Sequence, residues 1–266
     1  MSEINLNNAD VHSLYEKSVQ NADFDVELIN DLYQNYNGCE PLLIKEDFCG
    51  TASFCCEWVK LNQNKKAVGV DLDSEVLDWG RTHNLSKLCI QEQQRIVLKN
   101  DNVLNVIAPK TDVVVAFNFS YQIFKKRQDL LYYFKQAKRS LKRKGIFVID
   151  VFGGTQSTAL VEEITPKDGF DYVWEHAKFN SITNELLCYI HFDFKDGSRL
   201  EKAFTYDWRL YTVPELVDIM TDAGFKQVDV LWEGTDESDG TGNGEFKHAK
   251  DGEVCESFIA YIVGRI

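Results

Sequence analysis

From residue 41 onward the chain alternates short β-branched runs with helical stretches, and this rhythm restricts the fold more than any other feature. "PLLIKEDF" (41–48), "KAVGVDL" (66–72), "RIVLKND" (95–101), "DVVVAFNF" (112–119) and "GIFVIDVF" (145–152) are nearly continuous apolar runs. Strands of that kind are covered on both faces, and their alternation with helices is the sequence form of a parallel α/β sheet. The intervening segments carry helix start signals: Thr51 or Ser53 ahead of "FCCEWVKL", and Asp73 with Ser74 and Glu75 ahead of "VLDWGRTHN". In "RQDLLYYFKQAKRSLKRKG", Leu130, Phe134, Ala137 and Leu141 recur at helical spacing and predict a core stripe. The basic cluster from Lys138 to Lys144 falls at the end of that helix, where cations offset the dipole, so it is read as solvated rather than as a nucleic-acid surface.

Beyond Phe152 the period changes to two. "DYVWEHAKFN" (171–180), "ELLCYIHFDF" (185–194) and "RLEKAFTYDW" (199–208) alternate in and out, and Asp196-Gly197 suits a tight hairpin between the last two. A three-stranded antiparallel insertion is expected. "YTVPELVDIMTDAGF" then resumes the helical pattern, with capping-box spacing at Thr212 and Glu215 and a terminating Gly224. "VDVLWEG" (228–234) and "ESFIAYIVGR" (256–265) supply two closing strands, separated by a polar, glycine-rich loop of about twenty residues. The expected architecture is a Rossmann-like α/β fold: a seven-stranded, mostly parallel sheet flanked by helices, with a small antiparallel lid after the fifth strand. Its segments are a helical cap (1–40), the core (41–152), the lid (153–210) and the core's completion (211–266).

With 266 residues, 44% hydrophobic and 12% aromatic, the chain has ample material for one large core. A formal charge of −13 sets the mean field against phosphate backbones and anionic membranes, so nucleic acid is not an expected partner. The seven cysteines are odd in number, scattered and never spaced Cys-x-x-Cys, which favours reduced thiols in a cytoplasmic protein. The polar, acidic start lacks the features of a signal peptide, and no apolar run reaches bilayer-spanning length.

In an open parallel sheet, ligands bind beyond the carboxyl ends of the strands. Here those ends are all polar: Glu46-Asp47, Asp71, Asp101-Asn102, Asn118, Asp150 and Trp232-Glu233. A dinucleotide would need several glycines in the first loop, yet "EDFCGTA" keeps only Gly50, with Phe48 and Ala52 where glycines would stand. Pyrophosphate binding is therefore disfavoured. A helix N-terminus that attracts a carboxylate, followed about twenty residues later by an acid suited to ribose hydroxyls, fits a nucleoside joined to an amino acid.

At these residues the sequence resembles the class I S-adenosylmethionine-dependent methyltransferases. "EDFCGTA", "VGVDLD", "AFNFSY", "YDWRLYTVPEL" and "WEGT" together resemble a largely uncharacterised bacterial-type group of them. The resemblance implies that Glu46 orders the loop and the methionyl ammonium, and that Phe48, Cys49, Gly50 and Thr51 form the loop itself. It implies further that Asp71 holds the ribose with Leu72 against the adenine face, and that Asp101 and Asn102 meet the adenine edge. Asn118 and Phe119 would line the methionine and the substrate entrance, and Tyr15 would fold over the cofactor. Each has a plainer alternative: Asp71 as a helix cap, Asp101 as a turn former, Tyr15 as an ordinary amphipathic contact.

Methyl transfer from a sulfonium needs nucleophile, methyl carbon and sulfur held in line in a water-poor pocket, with no metal. Because the insertion leaves and rejoins the core at the cofactor edge, Tyr121, Asp150, Tyr206, Trp208, Arg209, Trp232 and Glu233 are the candidates for the acceptor side. Packing between lid and sheet is the alternative for the aromatics. Arg209 either clamps a carboxylate or pairs with Asp207, while His191 is read as a packed histidine and Cys49 as a small loop side chain rather than a nucleophile. The expected activity is methyl transfer to a small-molecule N or O acceptor. An RNA or protein methyltransferase, an NAD-dependent oxidoreductase and a non-catalytic nucleoside-binding protein are the alternatives.

Overall fold

Adjacent carboxylates at the end of a buried strand are tolerable only if each finds its own environment, and β1 (Leu43–Asp47) provides this by strand alternation. Glu46 faces one side of the sheet, where the Cys55 thiol donates to its Oε2 at 3.0 Å. Lys45 and Asp47 face the other side. There both are 1% exposed and pair at 3.1 Å, Lys45 also donates to the Val106 carbonyl and Ser140 Oγ, and Tyr133 donates to Asp47. A buried charge pair is sustained by such additional hydrogen bonds.

The computed structural model describes residues 4–235 and 242–266. Around β1, the strands β2 (Lys66–Asp71), β3 (Ile96–Asn100), β4 (Thr111–Ala116) and β5 (Leu141–Gly153) pair in parallel. The sheet is completed by β10 (Gln227–Thr235), β11 (Gly242–His248) and β12 (Phe258–Arg265), in the order β11-β10-β12-β5-β4-β1-β2-β3. β12 runs antiparallel to both β5 and β10, as β11 does to β10. The seven expected strands are present, and an eighth, β11, is added from the polar loop, whose residues 236–241 lie outside the described ones. Its sequence, "GNGEFKH", is mostly exposed and has no apolar alternation to announce it.

The chain grows from β1 toward β3 in one direction and from β4 toward β5 in the other, so the topological switch point lies between β1 and β4. Helices α2 (Ala22–Asn37) and α3 (Ser53–Lys60) cover the face that carries Glu46, while α6 (Arg127–Ser140) and α7 (Val213–Asp222) cover the opposite face. α4 (Ser74–His83) follows β2, and the single turn α5 (Ile90–Gln93) leads into β3. Asp73 caps α4 through the Glu75 and Val76 amides, and Thr212 with Glu215 forms the capping box of α7.

The lid is a second sheet, β6-β7-β8-β9, made of β6 (Glu162–Lys167), β7 (Phe170–Asn180), β8 (Glu185–Phe194) and β9 (Arg199–Arg209). It thus has one strand more than the three expected, because the short edge strand β6 carries charges and a proline instead of a readable alternation. The cross-strand registers put Trp174, Ile190 and Phe204 on one face and Glu175, Tyr189 and Thr205 on the other. Against the apolar face packs α1 (Val11–Val19), whose Leu14 joins Phe170, Ile190, Phe192 and Phe194 in a small core of their own. His191 belongs to the outer face. It accepts the Lys202 amide on Nδ1 at 3.1 Å and meets Glu175 at 2.9 Å, so it pins the bulge in β9.

Candidate functional site

The loop after β1 resolves the question of its missing glycines. Phe48, Gly50 and Ala52 all adopt left-handed backbone, with φ of 60°, 50° and 60°. Every second residue therefore has the conformation that a glycine would supply, held in two cases by an L side chain at a cost of about 1–2 kcal/mol each. Tertiary packing enforces it. Phe48 lies edge-on to Tyr133 and close to Phe124, and Ala52 is wholly buried. The space glycines would free in the loop is created instead beneath it: a Cβ on Gly80 would stand 2.3 Å from the Thr51 carbonyl oxygen, and one on Gly69 2.8 Å from Cys49 Sγ. Ala52 is the N-cap residue of α3 and offers no side-chain cap, contrary to the expectation at Thr51 or Ser53. Thr51 Oγ1 donates to Glu16 of α1 at 2.5 Å instead.

Two carboxylates flank this loop. Glu46 is 7% exposed, and burial pushes its carboxyl up to about 8, with the Cys55 hydrogen bond opposing. The Cys55 amide adds a second hydrogen bond that favours the charged form. Asp71, at the end of β2, accepts the Gly50 amide at 2.8 Å on one oxygen and the Asp73 amide at 2.9 Å on the other. Burial raises its pKa against those two bonds. Leu72 beside it is 66% exposed, an apolar surface with no partner at the strand end. Farther along, Asp101 accepts the Asn102 amide at 2.7 Å and Asn105 Nδ2 at 3.3 Å, which forms a local turn after β3.

After β4 the chain turns through two more left-handed residues, Asn118 and Phe119, with φ of 54° and 56°. Asp150 on β5 holds this turn, its two oxygens accepting the Asn118 amide at 2.7 Å and the Phe119 amide at 3.0 Å. Burial nevertheless pushes its carboxyl up to about 7. Phe119 and Phe152 meet at 4.8 Å, and Trp208 approaches Phe119 at 6.4 Å, so the lid joins the strand ends here. Tyr206 and Trp208 meet at 4.4 Å with their rings tilted by 37°, and Trp174 lies beside both.

α1 roofs the first loop. Glu16 receives Thr51 Oγ1 and also Asn84 Nδ2 at 2.6 Å, and Asp10 receives Trp79 Nε1 at 2.8 Å. On its other side Tyr15 packs on Phe204 of the lid at 4.8 Å, and burial pushes its phenol up to about 12. One helix thereby ties the loop after β1 to the lid.

The remaining acceptor-side candidates are dispersed. Tyr121 is fully buried against Phe134 in the core under α6, with no partner for its hydroxyl among the described residues. Arg209 pairs with Glu215 at 3.0 Å and lies over Tyr211, while Asp207 pairs with Lys125. Arg209 therefore ties the lid root to α7. Trp232 lines a cavity of about 530 Å³ between the lid root, α7 and the loop before β12, together with Phe152, Tyr211 and Phe258. Glu233, on the other face of β10, accepts the Gly244 amide at 3.0 Å.

Asp25 was not singled out from the sequence. It lies in the first turn of α2, and Tyr261 of β12 donates to its Oδ1 at 2.9 Å. Burial pushes its carboxyl up to about 6. The available signal was an acid in register with the apolar stripe Ile29, Leu32 and Tyr36 of the same helix. Nothing distinguishes Glu16, by contrast, from a solvated acid on a polar helix face.

No family model and no curated protein sequence matches the chain. Solved structures do. An S-adenosylmethionine-dependent methyltransferase from Clostridium acetobutylicum is 20% identical, with 95% of this chain and 96% of that one covered at a TM-score of 0.66. DesVI from Streptomyces venezuelae is 17% identical over 98% and 99% at 0.68. CalS10, an amino pentose methyltransferase from Micromonospora echinaspora solved with bound S-adenosylmethionine, is 10% identical over 99% of each chain at 0.67. The chain shares their fold from end to end.

Proposed function

We propose that the protein is an S-adenosylmethionine-dependent methyltransferase acting on a small-molecule acceptor. The observation that carries this reading is the loop at the head of α3, with left-handed backbone at Phe48, Gly50 and Ala52, set between Glu46 and Asp71. Its donor set fits the cofactor. Glu46 keeps lone pairs for an ammonium group, the α3 N-terminus suits a carboxylate, Asp71 keeps lone pairs for ribose hydroxyls, and Leu72 offers an apolar face to a purine. The loop of Phe48, Cys49, Gly50 and Thr51 would hold the amino-acid end, Asp101 and Asn102 the adenine edge, and Asn118 and Phe119 the path to the acceptor. Tyr15 would close over the whole. Bound there, the sulfonium supplies an electrophilic methyl carbon.

The chain's own contribution is then positioning and exclusion of water. α1 covers the loop and the lid packs on α1 and on the Phe119 turn, so the reacting atoms would meet away from solvent, where the in-line geometry is easiest to hold. The aromatic inner face of the lid and the net charge of −13 favour a small acceptor over RNA or an acidic protein surface. Seven unbridged cysteines suit a reducing cytoplasm, and no helix among the described residues is long and apolar enough to cross a membrane.

Calorimetric titration with S-adenosylhomocysteine and with NADH tests the reading. Binding of the first but not the second is expected, and Asp71→Ala should weaken it about tenfold or more through loss of a charged hydrogen-bond acceptor. Tight NADH binding with indifference to S-adenosylhomocysteine would overturn it.

A further inference from the structure

A row of side chains crosses the sheet at the site, on the face covered by α2 and α3. Asp150 and Tyr261 are directly opposed in the β5–β12 register, so their side chains share that face with Glu46 and Phe117. Asp25 descends from α2 onto this row, hydrogen-bonded to Tyr261, whose ring meets Phe117 edge-on at 5.7 Å. It lies close enough to Glu46 and Asp150 for its charge to push both carboxyls up further. Among the described residues, no Lys, Arg or His is hydrogen-bonded or ion-paired to any of the three carboxyls.

Carboxylates drawn out of water without counter-charges either hold a proton or take a cationic ligand. Two of the three have their work assigned. Both oxygens of Asp150 are taken by the Asn118 and Phe119 amides, and Glu46, 7% exposed and held by Cys55, is assigned to the cofactor's ammonium in the reading above. Asp25 alone retains an oxygen, Oδ2, with neither a protein partner nor a role. Tyr15 lies close enough to Asp150 for that charge to push its phenol up, and with Trp174 and Tyr206 of the lid it supplies rings of the kind that accept a cation.

We propose that Asp25 binds the acceptor and takes a proton from it, and that the acceptor is accordingly an amine. This rests on the methyltransferase reading and specifies its substrate class. The amine enters as its ammonium ion and passes one proton to Asp25 Oδ2, which frees the nitrogen lone pair. The nitrogen then forms the new C–N bond as the methyl–sulfur bond breaks, its electron pair going to sulfur. The product departs as a methylated ammonium ion, and Asp25 returns its proton to water. A hydroxyl acceptor would need a base far stronger than this carboxylate, whose burial brings it only to about 6.

The test needs no knowledge of the natural acceptor. Sinefungin carries a protonated amine where the transferred methyl would stand, and S-adenosylhomocysteine carries nothing there. The wild-type protein is expected to bind sinefungin about tenfold or more tightly than S-adenosylhomocysteine, the scale of one hydrogen bond to a charged group. In Asp25→Asn, where the Tyr261 hydroxyl still finds an oxygen acceptor, the two ligands should bind within about twofold of each other, with S-adenosylhomocysteine affinity unchanged. Tyr261→Phe keeps the carboxylate and should keep the preference. A preference that survives Asp25→Asn, or an equal loss of both ligands in that variant, would overturn the inference while leaving the methyltransferase reading intact. Failure of the wild-type protein to bind either ligand would overturn both.

Discussion

Gly80→Ala reverses a general rule, and the sign of its effect isolates the packing of the loop after β1. Replacing a glycine inside a helix such as α4 ordinarily gains about 1 kcal/mol, because alanine loses less backbone entropy on folding. Here the added methyl would stand 2.3 Å from the Thr51 carbonyl oxygen and 2.8 Å from its carbonyl carbon. Ordinary carbon–oxygen contacts lie near 3.3–3.6 Å, so helix and loop must separate by about 1 Å. Both partners are backbone, which leaves no flexible tip to give way. Overpacking of this kind costs about 1–3 kcal/mol. The separation also strains the 3.1 Å hydrogen bond from Asn84 to the same carbonyl, a further loss of about 1 kcal/mol. A net destabilisation of about 1–3 kcal/mol is expected after the propensity gain. Urea denaturation followed by far-UV circular dichroism reads it directly, and S-adenosylhomocysteine binding should weaken in parallel. A variant as stable as the parent, or more stable, would refute the claim that α4 is pressed against this loop.

The buried carboxyls make a prediction about pH. Glu46 and Asp150 are raised from ordinary values of 4.5 and 3.8 to about 8 and about 7, so the folded state binds protons that the unfolded state has released. The stability they contribute is full below about pH 4 and is lost as pH rises from there to about 7 for Asp150 and about 8 for Glu46, at about 1.4 kcal/mol per pH unit for each group, with no further loss above. Urea midpoints of the ligand-free protein should fall across that window, and Glu46→Gln should flatten the slope; an unchanged slope would show that Glu46 is not buried as a neutral acid. Glu16→Ala removes the shared acceptor of Thr51 and Asn84, and amide exchange in α1 should quicken by about tenfold or more while β1 and β4 keep their protection. Equal protection in both proteins would mean that the roof is held by the Asp10–Trp79 bond and the lid contacts of Leu14 and Tyr15 without Glu16.

The parallel core was legible because its signals are local. Runs such as "DVVVAFNF" and "GIFVIDVF" bury both faces and need no partner to be recognised as strands, and the caps at Asp73 and Thr212 are set by side chains that reach only two or three residues along the chain. The polar strand ends followed from the same reading, because a strand's last residue leaves the apolar layer wherever the strand is placed. β6 and β11 were missed because edge strands are selected against readable hydrophobic patterning.

The conformation of the first loop lay beyond the sequence. Phe48 and Ala52 are residues that avoid left-handed backbone by themselves, and only contacts from Tyr133, Phe124 and the glycines at 69 and 80 hold them there. The same holds for the side-chain assignments. Sequence identified Glu46, Asp71, Asp101 and Asp150 as strand-end acids with equal claims. Tertiary structure gave Asp71 and Asp150 to backbone amides, tied Arg209 to α7, sank Tyr121 into the core, and brought Asp25 from a helix more than a hundred residues away from its partners on β5 and β12. Chain-local chemistry determines which elements form and where they end. Which charges share a chamber depends on elements distant in sequence meeting at one sheet edge, and no local pattern encodes that meeting.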